Sequence, residues 1–252
     1  MKKLPSDLII ESYAEGSSPV HSADHRSENE DGFTVISSDS GGMSYKTLVT
    51  GPADALGYEA RSRLSSLVGR VVGYYLARAG LSDISRVLTA GLGNPSVTSD
   101  SLGHDTTLRV VSDGVRSFSF VPLTKARTGI PTASLVRSAA DECHAEAIIA
   151  VDALAAREAH RLGSVIQITD HGIRPGSGIS ASAEEISRPT MGRAVIVIGV
   201  PTVMRTDLTT PDGRELYVTP SNIDSLTSAF SAVIAGGVNT ALFGNKSGGG
   251  IG

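Results

Sequence analysis

The sequence predicts an α/β fold with a largely parallel central sheet and helices on both faces, built by a single domain over residues 1–252. Three observations predict it. The runs Ala147-Ile148-Ile149-Ala150-Val151, Ser164-Val165-Ile166-Gln167-Ile168 and Ala194-Val195-Ile196-Val197-Ile198-Gly199-Val200 read as buried strands. Segments of helical periodicity stand between and around the strands. The 252 residues include no Trp and only 4% aromatics. A core of Val, Ile, Leu and Ala suits parallel strands covered by helices.

Residues 1–50 read as an amino-terminal extension. Its polar span 16–32 predicts a long loop. Phe33-Thr34-Val35-Ile36 and Tyr45-Lys46-Thr47-Leu48-Val49 predict an antiparallel hairpin. From Ala53 to Ala79, Leu56, Leu64, Leu67, Val68, Val71, Val72, Tyr75 and Leu76 recur at helical spacing, and Gly80 stands where a helix C-terminal glycine belongs. The core that carries the motifs runs over 86–205. It starts with a strand at 86–90, a helix at 102–111, a strand at 117–121 and a helix at 133–144, and continues through the three apolar runs. A helix over 223–233 comes next, and the Gly-rich tail 243–252 is flexible by composition.

Charge and cysteine usage exclude several functions. Lys and Arg total 22 against 26 Asp and Glu, a net charge of −4, so no broad basic face and no direct nucleic-acid binding are expected. Cys143 is the single cysteine, which rules out an internal disulfide and any all-cysteine metal site. The start of the chain has no apolar run of signal-peptide length and no stretch of eighteen consecutive apolar residues exists, so a soluble cytoplasmic protein with no membrane partner is expected.

In an open α/β sheet, ligands bind beyond the carboxyl ends of the strands. Gly91-Leu92-Gly93-Asn94 leads to Asp100, Asp152 follows Val151, and Asp170-His171 follows Thr169. Aspartates at these strand ends are the main functional signal. Each residue also has a plainer reading. Gly91-Leu92-Gly93 has Ser96 in place of a third glycine, and Pro95 lacks an N–H for phosphate, so a tight turn is favoured over a nucleotide loop. Asp100 is either functional or the N-cap of a helix opening at Ser101-Leu102. Asp152 either caps a helix starting at Ala153 or is a functional carboxylate, because a charge directly after an apolar strand must be held by something. His171 is a surface residue or a ligand. Gly172 to Gly178, with Gly176-Ser177-Gly178, is a rigid turn whose N–H groups suit an anion or a peptide carbonyl. His21 and His25 read as solvated loop, His144 and His160 as helix surface, and Cys143 as a structural thiol. The sequence has no Gly-x-Ser-x-Gly elbow, His-Glu-x-x-His pair or Walker loop.

Five ordered blocks over 86–205 resemble the germination protease (spore protease) family of spore-forming Firmicutes. They are Gly91-Leu92-Gly93-Asn94 with Val97-Thr98-Ser99-Asp100-Ser101-Leu102-Gly103; Thr128-Gly129-Ile130; Ile149 to Arg157, containing Asp152-Ala153-Leu154-Ala155; Ile166 to Gly178; and Ile198-Gly199-Val200-Pro201-Thr202-Val203. Ser6-Asp7-Leu8-Ile9-Ile10-Glu11 is similar to the family's mature start.

This resemblance implies an aspartic-type endopeptidase that degrades small acid-soluble spore proteins in the spore core during germination. It implies the fold of the hydrogenase-maturation endopeptidases, zymogen control and homo-oligomers; no cofactor and no resident metal are expected. The family's proposed catalytic carboxylates match Asp100 and Asp152. Asn94, Asp170, His171, Gly176, Ser177 and Gly178 are then expected to position substrate or support the pair. Only Met1 to Pro5 precede the mature-like start, which speaks against a removable propeptide. His104 stands where the family has Pro, and His171 and Arg174 replace Ser or Thr and His. These departures motivate two alternatives: a relative that binds a partner without cleaving it, and a metal-assisted one using His104 or His171.

Overall fold

The computed structural model describes residues 7–8, 24–40, 42–82, 85–175, 184–213 and 215–244. The expectations for residues 16–23, for the Gly176-Ser177-Gly178 turn and for the tail beyond residue 244 lie outside the described residues. Among those described, nine strands form one sheet. They are β1 (Asp24–Glu30), β2 (Phe33–Ser40), β3 (Met43–Val49), β4 (Val87–Gly91), β5 (Ser117–Phe120), β6 (Ala147–Ala156), β7 (Val165–Thr169), β8 (Ala194–Thr209) and β9 (Glu215–Val218). The order is β1-β2-β3-β7-β8-β6-β4-β5, with β9 paired to β8. The helices are α1 (Tyr58–Arg78), α2 (Leu102–Thr107), α3 (Lys125–Thr128), α4 (Thr132–Glu142), α5 (Arg188–Met191) and α6 (Ile223–Phe243).

The α/β class is as the sequence predicts. Strands β5, β4, β6 and β8 run parallel. The pairings of β1 with β2, β2 with β3, β3 with β7, β7 with β8 and β9 with β8 are antiparallel, so the sheet is mixed and its parallel part holds four of the nine strands. The connection from β6 to β7 carries only a 3-10 turn at Ala159–Arg161. Without a crossover helix to return the chain, the next strand comes back in the opposite direction.

Side-chain alternation along the buried strands feeds two cores. Ile149, Val151, Ile166, Ile168, Ile196 and Ile198 face α1 and α6, meeting Leu64, Leu67, Tyr75, Phe230 and Ile234. Ile148, Ala150, Val195 and Val197 face the other way, toward Val136 and Ala140 of α4 and Met191 of α5. Each fully buried Val, Leu or Ile contributes about 1.5–3 kcal/mol.

Several boundaries differ from expectation. Residues 24–30 form β1 rather than loop. An edge strand exposed on both sides needs no apolar face, which is why its sequence reads as loop. Gly80 (φ +80°) does follow the end of α1, as predicted. The helix expected over 102–111 stops at Thr107. Strand β6 does not end at Val151 but runs through Asp152 to Ala156, because β8 pairs with it out to Met204. Helix α6 extends to Phe243. Among the described residues it is the one helix long and apolar enough to cross a membrane, and more than half of it is buried in this fold against its neighbours.

Candidate active site

At the carboxyl end of the parallel strands, the chain leaves β4 through Gly91-Leu92-Gly93-Asn94. The Leu92 N–H donates to the Val151 carbonyl at 2.8 Å, adding one rung to the β4–β6 ladder before the strands part. Two glycines make this exit possible. A methyl group on Gly91 would lie 2.2 Å from the Gly103 carbonyl oxygen, so α2 can sit against the strand only because that side chain is missing. Gly93 has φ +96°, and a methyl group there would lie 2.2 Å from the Asp100 carbonyl oxygen. The turn therefore folds Asp100 back beside the end of β4.

Asp100 closes a single 3-10 turn over Thr98–Asp100. The Asn94 N–H donates to its Oδ2 at 2.8 Å, and Asn94 holds its own loop by accepting the Ser96 N–H on Oδ1 at 3.1 Å. The N-cap alternative does not hold: Asp100 caps no helix, and Ser101 precedes α2 without a side-chain cap. Burial raises the Asp100 carboxyl above its ordinary range, opposed by the Asn94 N–H.

Asp152 lies inside β6 and is 5% exposed, so it caps no helix at Ala153. Its Oδ1 accepts the Ala153 N–H at 3.0 Å. Burial raises its carboxyl well above the ordinary value of 3.8. The negative charge of Asp100 raises it further, then that of Asp7, and the Ala153 N–H opposes them. The fold thus brings Asp100 and Asp152 into electrostatic contact. A negative charge on Asp100 favours the protonated form of Asp152.

Other expected site residues lie elsewhere. Asp152 is level with Gly199 of β8, and Gly199 with Gln167 of β7. Thr169 pairs with Val197, so Asp170 and His171 continue toward the amino ends of the parallel strands, away from the acid pair. The sequence places them at the same rim only if β7 is parallel, and it is not. Asp170 accepts the Ser44 N–H at 2.8 Å and pairs with Arg78 at 3.1 Å. His171 packs 5.9 Å from the Tyr45 ring, and Arg174 pairs with Glu185 at 3.3 Å. His104 Nδ1 lies 2.9 Å from Asp105 Oδ1. Among the described residues, no group of three or more His, Cys, Asp or Glu side chains is arranged to hold a metal ion.

Two residues at the site are not evident from the sequence. The β6–β8 register slips between Leu154, opposite Pro201, and Ala155, opposite Val203. Thr202 is the extra residue of this bulge, and its Oγ1 donates to the Ser99 carbonyl at 2.5 Å, tying β8 to the turn that carries Asp100. Pro201 inside an apolar strand is the signal that could have found it. Gln167, a lone amide in an apolar run, is buried in the row of Asp152 and donates from Nε2 to the Asp7 carbonyl at 3.2 Å.

The germination protease family profile matches residues 43–212, a span that includes both aspartates. The chain belongs to the germination protease family. It is 34% identical over 203 residues to the germination protease of Bacillus mycoides (strain KBAB4), covering 71% of this chain and 55% of that protein. It is 35% identical over 160 residues to that of Bacillus cereus (strain G9842), covering 58% and 44%. It is also 35% identical over 160 residues to that of Priestia megaterium (strain ATCC 12872 / QMB1551), covering 58% and 43%. The chain spans about half the length of the curated germination proteases it matches. Among solved structures, the NiFe hydrogenase maturation protease HycI from Thermococcus kodakarensis KOD1 aligns over 67% of this chain and 98% of that one, at 15% identity and a TM-score of 0.39.

Proposed function

We propose that the chain is an endopeptidase that hydrolyses peptide bonds with a carboxylate pair, and that small acid-soluble spore proteins of the germinating spore are its substrates. The substrate class is what the family resemblance implies. One arrangement supports the chemistry: Asp100 on the turn after β4 and Asp152, inside β6 just past the last β4–β6 pair, lie close enough for the charge of Asp100 to raise the buried Asp152 carboxyl.

In this reading Asp100 takes a proton from water while the water oxygen adds to the scissile carbonyl carbon. Asp152 donates its proton to the carbonyl oxygen, which would otherwise become an oxyanion in a buried site. In the collapse of the tetrahedral diol, Asp100 passes its proton to the amide nitrogen and a diol hydroxyl returns a proton to Asp152 as the C–N bond breaks, leaving a new carboxyl, a new amino terminus and both aspartates as they began. The division of labour comes from environment, since Asp152 is buried and feels the negative charges of Asp100 and Asp7, while Asp100 is only partly buried.

Asp100→Asn and Asp152→Asn test it. Each is expected to lower kcat/KM on small acid-soluble spore proteins by about 10²–10⁴-fold or more, with an unchanged circular dichroism spectrum. Full turnover by either variant removes that residue from the pair, and a stable complex without fragments in the unsubstituted chain replaces the peptidase with a binder.

A further inference from the structure

Strand β6 outruns β4. The last β4–β6 pair is Gly91 with Val151, and β6 continues to Ala156 beside β8 alone. Ala155 on this overrun has both backbone groups taken by one residue. The Asp7 N–H donates to the Ala155 carbonyl at 2.9 Å, and the Ala155 N–H donates to Asp7 Oδ2 at 2.9 Å. Leu8 is wholly buried with Leu154, Ala156 and Val165, and Gln167 Nε2 holds the Asp7 carbonyl. Residues 7–8 are therefore docked on β6 where it runs on past β4, with the Asp7 carboxylate bonded three residues beyond Asp152 and near enough for its charge to act on that acid.

An asparagine oxygen would accept the Ala155 N–H equally well, so the hydrogen bond alone does not call for a charge. A third negative charge close to a buried acid disfavours ionisation of that acid. We propose that Asp7 is a positioning residue of the active site, docked on β6 so that its charge keeps Asp152 in the protonated, proton-donating form. Among the described residues, Asp100 on the turn after β4 and Asp7 on this segment are the charged groups acting on Asp152. Its neighbours across β8 and β7, Gly199 and Gln167, are neutral. This inference rests on the carboxylate-pair reading above, and it adds Asp7 to the catalytic unit.

Asp7→Asn and Asp7→Glu in the full chain separate charge from structure. A protonated Asp152 is required for turnover, so activity falls as pH rises through its pKa. Removing the Asp7 charge should move this alkaline limb of kcat/KM toward acid by about one pH unit, and Asp7→Glu should leave it in place. A purely structural role would lower the rate without moving the limb. The ¹³C-carboxyl NMR titration of Asp152, recorded without substrate, should shift in the same direction in Asp7→Asn. This titration needs no turnover, so it decides the coupling even for a chain that cleaves nothing, and failure of the peptidase reading stays distinguishable. An Asp152 titration unchanged in folded Asp7→Asn overturns the proposal, as does an equal shift in both variants.

Discussion

Asp152 is a buried acid, and its environment has a consequence for stability as well as for chemistry. Its carboxyl titrates above 3.8 in the fold and near that value in an unfolded chain. Between those two points the folded state binds more protons than the unfolded one, so its contribution to stability is fully present below the lower value and is lost as pH rises through the folded value. An uncharged isostere escapes this loss. Asp152→Asn is therefore expected to be inactive yet more stable at pH 7, by at least about 2–4 °C in Tm, the change that ~1 kcal/mol makes in a chain of this size. The gain should vanish below about pH 4, as read by thermal melts across pH. A variant less stable than its parent at pH 7 would mean that burial costs Asp152 less than its hydrogen bond returns. At this scale Asp152 stood out in the sequence as a carboxylate that directly follows an apolar run, although the strand itself continues through it. Thr202 did not, since its role comes from a register slip that no single residue announces.

Among the elements, the turn after β4 and the direction of β7 decide what the site contains. Gly91 lies 2.2 Å from the Gly103 oxygen and 2.3 Å from Thr107 Oγ1 when given a methyl group, and a methyl on Gly103 would lie 2.4 Å from the Val151 oxygen. Backbone oxygens cannot yield as a flexible side chain does. Gly91→Ala should cost about 3 kcal/mol or more and lower activity with it, because α2 and the Asp100 turn must move away from β6. Chemical denaturation of the variant checks the first part and peptide cleavage the second. An unchanged midpoint would show that α2 can shift freely. The Gly91-Leu92-Gly93 signal was visible in sequence, but its purpose was close packing of a helix on a strand. Residues 152–156, Asp-Ala-Leu-Ala-Ala, carry local helix propensity, and the tertiary pairing with β8 overrides it.

The whole molecule is organised by a single sheet that passes from the β1 edge to the β5 edge without interruption, covered by α1 and α6 on one face and α4 and α5 on the other. Both cores share the same strands, so loss of one face exposes the backs of residues that support the other. A single calorimetric unfolding transition is expected, and two resolved transitions would divide the chain into separately folding parts.

The sequence by itself determined the α/β class, the buried strands, the long helix ended by Gly80, and the two acidic residues most worth testing, because periodicity and local polarity encode these directly. Only the tertiary structure decided which end of the sheet each strand end occupies. The antiparallel return of β7 carried Asp170 and His171 away from the pair, and the edge left open by β4 received Asp7. Strand direction and edge occupancy depend on pairing between distant segments, and no local pattern of residues carries that information.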